Sequence, residues 1–229
     1  MKIIRLDECD STNNYLKRAG LSGDVCVVSA LQTGGRGTKG RSFVSERGGL
    51  YVSFQREYTN FPAQEAFKIM VNASVAVCAA LQSFGIEPVI RWPNDVLAGG
   101  LKICGTLIEN TLSCGHISRS IVGIGINVSN ELPPDLCGIA TTMRAQLGRT
   151  VQPDEVLRVL FDNMQCSYSV GKYKSYINWL GKPVRLFYGG TCKEVVAVDI
   201  SDGGGLVCRL GDDIFTVNSA EVSLRVQIT

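Results

Sequence analysis

The chain has 229 residues, 45% of them hydrophobic and 19% charged, which suits one large domain or a medium domain with a small one, and leaves no long disordered stretch. Its formal net charge of +2 gives little support to a broad nucleic-acid surface, so any basic patch must be local. Nine cysteines, an odd number with no C-x-x-C pair, and a single histidine, His116, argue against structural zinc and a secreted disulfide framework, and fit a reducing cytoplasm.

"KIIRL" (2–6) reads as a strand, with no apolar signal-peptide core before Asp7 and Glu8. "STNNYLKRAG" (11–20) reads as a helix that starts on good capping residues and stops at Gly20. Strands follow at 24–30 and 50–54, then a helix over 62–85 that begins at a proline and ends at Gly85. Its most apolar part, "VNASVAVCAAL" from Val71, is too short and too interrupted to span a bilayer, so no membrane partner is expected. Strands at 88–92, 101–109 and 117–128 and one long helix over 153–177 complete an α/β or α+β body ending near residue 180. From Pro183 the texture changes to five short runs, "PVRLFY", "CKEVVAVD", "GLVCRL", "DIFTV" and "EVSLRV", separated by glycine-rich turns. They predict a small β-barrel, too short for much stability alone and therefore docked on the body.

The twenty residues between Ala30 and Leu50 lack hydrophobic periodicity, and loops of that length are usually functional or mobile. "QTGGRGTKGRSF" (32–43) carries Gly35, Gly37 and Gly40 at dinucleotide-loop spacing and lies one residue from a P-loop pattern, with Arg41 where the lysine belongs. Both patterns need a helix directly after the loop, and "FVSERGGLYVSF" reads instead as a strand. Arg36, Lys39, Arg41 and Arg47 against Glu46 give the loop a net +3, and glycines let backbone N–H groups turn toward an anion, so a phosphate-bearing ligand is the natural candidate.

"RWPNDVLAGGLKICGTLIE" (91–109) puts a proline-fixed turn after a strand, with Asn94 and Asp95 at its mouth and Lys102 on the next strand. In isolation the lysine reads equally as an outward edge-strand residue. "GIGIN" (123–127) alternates small residues with isoleucine, which permits close approach of a ligand or, equally, of another backbone.

In order and spacing these segments resemble biotin protein ligases, also called biotin–[acetyl-CoA-carboxylase] ligases. "STNNYLK" (11–17), "QTGGRGTKGR" (32–41), the 91–109 stretch and "GIGINV" (123–128) carry the resemblance, which covers residues 11 to 128. It implies an α+β, mixed-sheet catalytic domain of the biotin/lipoate ligase type over 1–180 and an SH3-like β-barrel over 181–229. It also implies that biotin is activated by ATP as biotinyl-5'-AMP, with Mg²⁺ as activator, and passed to a lysine of a biotin carboxyl carrier protein.

By the resemblance, Lys102 and Arg36 are catalytic, and Asp95 is the candidate acceptor for the carrier lysine's proton. Ser11, Thr12, Gln32, Gly35, Arg36, Lys102, Gly105, Leu107 and Gly123 fall at the biotin, with Ser11, Thr12 and Gln32 on its ureido group. Arg36, Lys39, Arg41, Asn94, Asp95, Lys102 and Asn127 fall at ATP, Asn94 and Asp95 on its Mg²⁺ side; no metal-ligand set is implied. Trp92 reads either as packing against the ligand or as structural. A homodimer through a sheet edge is open, and a monofunctional ligase without an N-terminal helix-turn-helix domain is expected.

The chain departs from the family pattern at Thr38, where a second loop arginine is common, and at Arg91, where lysine is usual. No tryptophan lies between Asn127 and Gly148 to cover an adenine. The rival readings are a biotin or nucleotide sensor without turnover, and a lipoate ligase, which would show an arginine-rich motif absent here.

Overall fold

The structure, a computed structural model, describes residues 1–188, 191–218 and 222–225. Strand β1 (Lys2–Leu6), helix α1 (Thr12–Ala19) and strand β2 (Val25–Ser29) form a β-α-β crossover, with β1 and β2 parallel. Helix α1 stops because Gly20 takes the left-handed conformation at φ 59°, and Lys17 and Arg18 sit on its negative C-terminal end. The basic loop then leads to β3 (Leu50–Pro62), antiparallel to β2.

Helix α2 (Phe67–Ser83) follows, then four strands joined by hairpins: β4 (Pro88–Arg91), β5 (Asp95–Ala98), β6 (Leu101–Ser113) and β7 (His116–Ile126). Strand β7 returns to pair with β3, closing a seven-stranded sheet in the order β1-β2-β3-β7-β6-β5-β4.

The sheet's two faces differ in character. Cys26, Val28, Val52, Phe54, Val122, Ile124 and Ile126 point to the main core under α2. The alternate positions Val25, Val27 and Ile121 pack with Leu16 of α1 on the opposite face. With its lead-in turn, α2 forms a helical segment, Ala63–Ser83, that is long and apolar enough by length and composition to cross a membrane. Its Ile69, Val71, Val75, Val77 and Leu81 are buried in the core, which accounts for the apolar run.

The single helix expected over 153–177 is two. Helix α3 (Met143–Leu147) precedes α4 (Pro153–Asn163), and α5 (Val170–Lys174) lies beyond a break. Pro153 opens α4, and Glu155 Oε1 accepts from the Gln152 backbone N–H at 3.2 Å. The break arises because the Tyr168 N–H donates to Asn72 Oδ1 of α2 at 2.8 Å and the Ser169 hydroxyl caps a new helix through Lys172 N–H at 3.1 Å.

The C-terminal strands β8 (Pro183–Tyr188), β9 (Thr191–Ile200), β10 (Leu206–Leu210), β11 (Asp213–Val217) and β12 (Val222–Arg225) make a five-stranded antiparallel sheet in the order β11-β10-β9-β8-β12. Among the described residues β11 and β12 do not pair, so hydrogen bonds leave the expected barrel open. Residues 189–190, 219–221 and 226–229 of the segment expected to form it lie outside the described residues. The sheet docks on the body as expected: Trp92 Nε1 donates to the Gly204 carbonyl at 2.9 Å, and Lys174 Nζ pairs with Asp199 at 2.7 Å.

Candidate active site

On the α1 face of the sheet, the positions between the core-facing isoleucines of β7 are Gly123 and Gly125, opposite Leu107 and Gly105 of β6. This glycine floor is the reason for the alternation in "GIGIN". A Cβ on Gly125 would lie 2.7 Å from the Phe43 ring, and one on Gly105 would lie 3.1 Å from Lys102 Nζ. A Cβ on Gly123 would collide with Asn13 Oδ1. The glycines therefore make room for side chains descending from the basic loop and from α1.

A cleft opens over this floor, lined at one end by Ser11, Thr12, Asn13 and Gln32 and at the other by Asn94, Lys102, Gly105 and Thr106. Leu107 and Gly123 lie between, and Arg36, Gly37, Thr38, Arg41, Ser42 and Phe43 of the loop form the remaining wall. Expected site residues Ser11, Thr12, Gln32, Arg36, Arg41, Asn94, Lys102, Gly105, Leu107 and Gly123 are thus brought together.

Ser11 is buried at the start of α1, but its side chain makes no capping hydrogen bond. One unpaired N–H at the buried helix start is taken by Gln32, whose Oε1 accepts from Thr12 at 2.9 Å. The Gln32 amide is itself fixed, because its Nε2 donates to Ser45 Oγ at 2.8 Å. The Ser11 hydroxyl is therefore not spent on the helix.

The basic loop turns tightly: Gly37 N–H donates to the Arg41 carbonyl at 2.6 Å, and Arg41 donates to the carbonyl and hydroxyl of Thr38 at 3.2 and 2.9 Å. Thr38, the departure from the family pattern, thus holds the arginine three residues on. Arg36 reaches toward α1 and β6, donating to Asn14 Oδ1 at 3.1 Å and lying 3.7 Å from Glu109 Oε1.

At the other end, Asp95 on β5 faces Gly105 in register, and its carboxylate is gripped on both oxygens. Arg91 pairs with one at 2.7 Å and Lys102 with the other at 2.8 Å. Burial raises this carboxyl, but the charges and hydrogen bonds of Lys102 and Arg91 outweigh it and hold Asp95 below the usual carboxylate range. Lys102 is thereby turned inward and lies 5.6 Å from the centre of the Phe43 ring. Its outward, edge-strand reading is not the one realised.

This arrangement alters two sequence expectations for Asp95. A carboxylate stabilised by two cations is a weak base, and each of its oxygens already meets a cation. Among the described residues no group of three or more His, Cys, Asp or Glu side chains could hold a metal.

Four expected site residues do not line the cleft. Asp95 lies behind Lys102 and pairs with it. Gly35 stands inside the loop, where a Cβ would strike the Phe43 carbonyl and come within 2.6 Å of Ser45 Oγ. Lys39 belongs to the turn above the cleft, at φ 58°. Asn127 is buried in the turn after β7, its backbone bonded to Ile103 and Met143 and its Oδ1 accepting from Asn130 Nδ2 at 3.3 Å. Trp92 is buried and spent on Gly204, a structural role.

Sequence reasoning missed Phe43, Asn13, Ser53 and Glu109. The signal for Ser53 lay in the alternation of "LYVSFQ", which sends it to the face opposite Val52 and Phe54.

The fold and the cleft place cations and polar groups around a ligand-sized floor, and comparison with known proteins gives the family. The Biotin/lipoate A/B protein ligase family matches residues 6–127, and the biotin protein ligase C-terminal domain matches residues 179–225. The chain belongs to the biotin protein ligase family. It is 31% identical to the biotin protein ligase of Aquifex aeolicus solved in complex with biotin and ATP, with a TM-score of 0.78 and 99% of each chain covered. It is 29% identical to the biotin–[acetyl-CoA-carboxylase] ligase of Paracoccus denitrificans over 89% of this chain and 92% of that one. It is 30% identical to the bifunctional ligase/repressor BirA of Bacillus subtilis over 86% of this chain, and the match spans 65% of that longer relative.

Proposed function

We propose that this chain is an ATP-dependent biotin protein ligase. In the first step the biotin carboxylate attacks the α-phosphorus of ATP, pyrophosphate leaves, and biotinyl-5'-AMP forms. In the second, the uncharged amine of a carrier lysine attacks the acyl carbon, AMP leaves, and biotin is held in an amide. The observation that carries this reading is Lys102, turned inward by Asp95 over a glycine floor whose far end presents Thr12 and Gln32.

The first step brings two anions together where water is scarce, and their repulsion is the main obstacle. The Lys102 ammonium neutralises carboxylate and α-phosphate as they approach. Arg36 and Arg41, with Lys39 above them, supply further cations when the loop closes, and closure protects the adenylate from hydrolysis. Asp95 holds Lys102 aimed into the cleft. Mg²⁺ would come with the phosphates of ATP, neutralising the departing pyrophosphate, since the residues around Asp95 do not make a protein-held metal site.

The carrier amine, whose pKa is about 10.4 when free, must lose a proton before it attacks. With Asp95 committed to two cations, we assign that proton to water or to the departing phosphate. Asn94 donates to the Thr106 carbonyl at 3.0 Å and holds the turn beside the nucleotide end. We take the acceptor to be the biotin domain of a carboxylase, and the compartment to be the cytoplasm, where nine free cysteines stay reduced. We further propose division at residues 180/181, no nucleic-acid or membrane partner, and a homodimer, if one forms, through a sheet edge.

The test is mass spectrometry of the protein with ATP, Mg²⁺ and either biotin or lipoate, followed by addition of a biotin carrier domain. Biotinyl-adenylate and a biotinylated carrier, both lost in Lys102→Ala, are the expected result. Biotin binding without adenylate would make the chain a sensor, and a lipoyl product would make it a lipoate ligase.

A further inference from the structure

We infer that Glu109, Asn13 and Ser53 form a positioning relay that turns the Thr12 hydroxyl hydrogen away from the cleft, so that Thr12 and Gln32 both meet the ligand as acceptors for the N–H groups of a cyclic urea. The inference rests on the biotin reading and names how that end of the cleft tells a urea from its isosteres.

The relay follows from counting hydrogens. Asn13 Nδ2 lies 2.9 Å from Glu109 Oε2 and 3.5 Å from the Leu107 carbonyl, both acceptors, so the amide must turn its nitrogen to them and its oxygen to Ser53. Ser53 is fully buried on β3, and its Oγ lies 2.6 Å from Asn13 Oδ1. A serine has one hydrogen, and an amide oxygen can only accept, so that hydrogen is committed to Asn13.

Thr12 Oγ1 lies 2.7 Å from the other side of Ser53 Oγ, and must supply the hydrogen of that contact itself. Gln32 Oε1, 3.1 Å from Thr12 Oγ1, is left with one lone pair engaged by the Thr12 N–H and one open to the cleft.

Glu109 anchors the chain as an anion. Burial raises its carboxyl, but hydrogen bonds from Lys17 and Asn13 and the charges of Lys17 and Arg36 more than offset this. Gly123 completes the arrangement, because a side chain there would occupy the place of Asn13 Oδ1.

Removing the Ser53 hydroxyl frees the Thr12 hydrogen to turn onto Gln32 Oε1, which fills its second lone pair and removes one acceptor from the cleft. The experiment is titration calorimetry of the full chain with biotin and with the two cyclic carbamate isosteres in which one ureido N–H is replaced by oxygen. Ser53→Ala is expected to bind biotin about fivefold to tenfold more weakly than the parent, the loss of one net hydrogen bond, while the more weakly bound carbamate is unchanged. Glu109→Gln shifts the ratio in the same direction by less, because its amide can present either face to Asn13.

Equal weakening of biotin and carbamate, or an unchanged ratio in both variants, overturns the relay, since a purely structural role moves both ligands together. If Ser53→Ala does not fold, Glu109→Gln, at a partly exposed position, carries the test. Failure of the unsubstituted protein to bind biotin at all would instead overturn the functional reading on which the relay rests.

Discussion

Lys102 Nζ lies 2.8 Å from Asp95 Oδ1, and the other oxygen of that carboxylate is held by Arg91 at 2.7 Å. Asp95 is therefore a buried anchor with a cation on each side, one of which faces the cleft. Arg91, which replaces the family's usual lysine, keeps the second charge and adds a planar fork.

Lys102→Ala is expected to slow adenylate formation by about 10²–10³, the range for loss of one donor aimed at developing charge. Asp95→Asn should slow the same step by less and leave biotin affinity within about twofold, because Lys102 is misaimed but not lost. Single-turnover adenylation measured beside transfer from preformed adenylate separates the roles. If Asp95→Asn slows transfer much more than adenylation, Asp95 is a proton acceptor after all.

The same carboxylate gives a signed pH effect. Its pKa is lower in the folded chain than unfolded, so its contribution is fully present above the ordinary carboxylate range and fades as pH falls through the folded value. Between about pH 7 and pH 3, measured by urea unfolding, Asp95→Asn should lose less stability than the parent. Parallel profiles would mean that the ion pairs with Lys102 and Arg91 add nothing net.

Much of this was legible because it rests on local rules. Gly20 ended α1, Pro153 opened α4, and the alternation at 121–126 placed small residues on one face. What escaped were facts decided by pairing and burial, which the pattern of a single run of residues does not display. Asn72, far from Tyr168 in sequence, breaks the third helix by accepting its N–H. Short β5, four residues long, vanished into a turn because its pairing comes from neighbours on both sides. Asn127 sat inside a motif that pointed at ligand, yet only tertiary contacts reveal that its backbone is bonded to Ile103 and Met143 and its Oδ1 to Asn130. Asp95 lies beside the cleft behind Lys102, and burial and two cations, not spacing, hold its carboxyl below the usual range.

Phe43 on Gly125 offers a packing test. Gly125→Ala would place a methyl carbon 2.7 Å from the ring, an overpacking expected to destabilise by about 1–3 kcal/mol. Phe43→Ala should relieve it, so the double variant is predicted to match Phe43→Ala alone in thermal unfolding. If the two losses simply add, the ring is not what Gly125 accommodates.

Gly204 joins the C-terminal sheet to the turn that carries Asn94 and Asp95. Its carbonyl takes the Trp92 indole N–H at 2.9 Å, its φ is +87°, and a Cβ there would run into the Phe67 ring at the start of α2. Gly204→Ala therefore meets both backbone strain and a steric clash, and about 1–3 kcal/mol of docking should be lost. Loosening the contact wets a buried indole next to Pro93, so tryptophan emission should shift to the red and protease should cut near residue 180 more readily. Adenylation should fall with it, because the strand end that sets Asp95 against Lys102 is no longer braced. Unchanged emission and proteolysis with normal turnover would show that the C-terminal sheet is held elsewhere and that Trp92 does not couple it to the site.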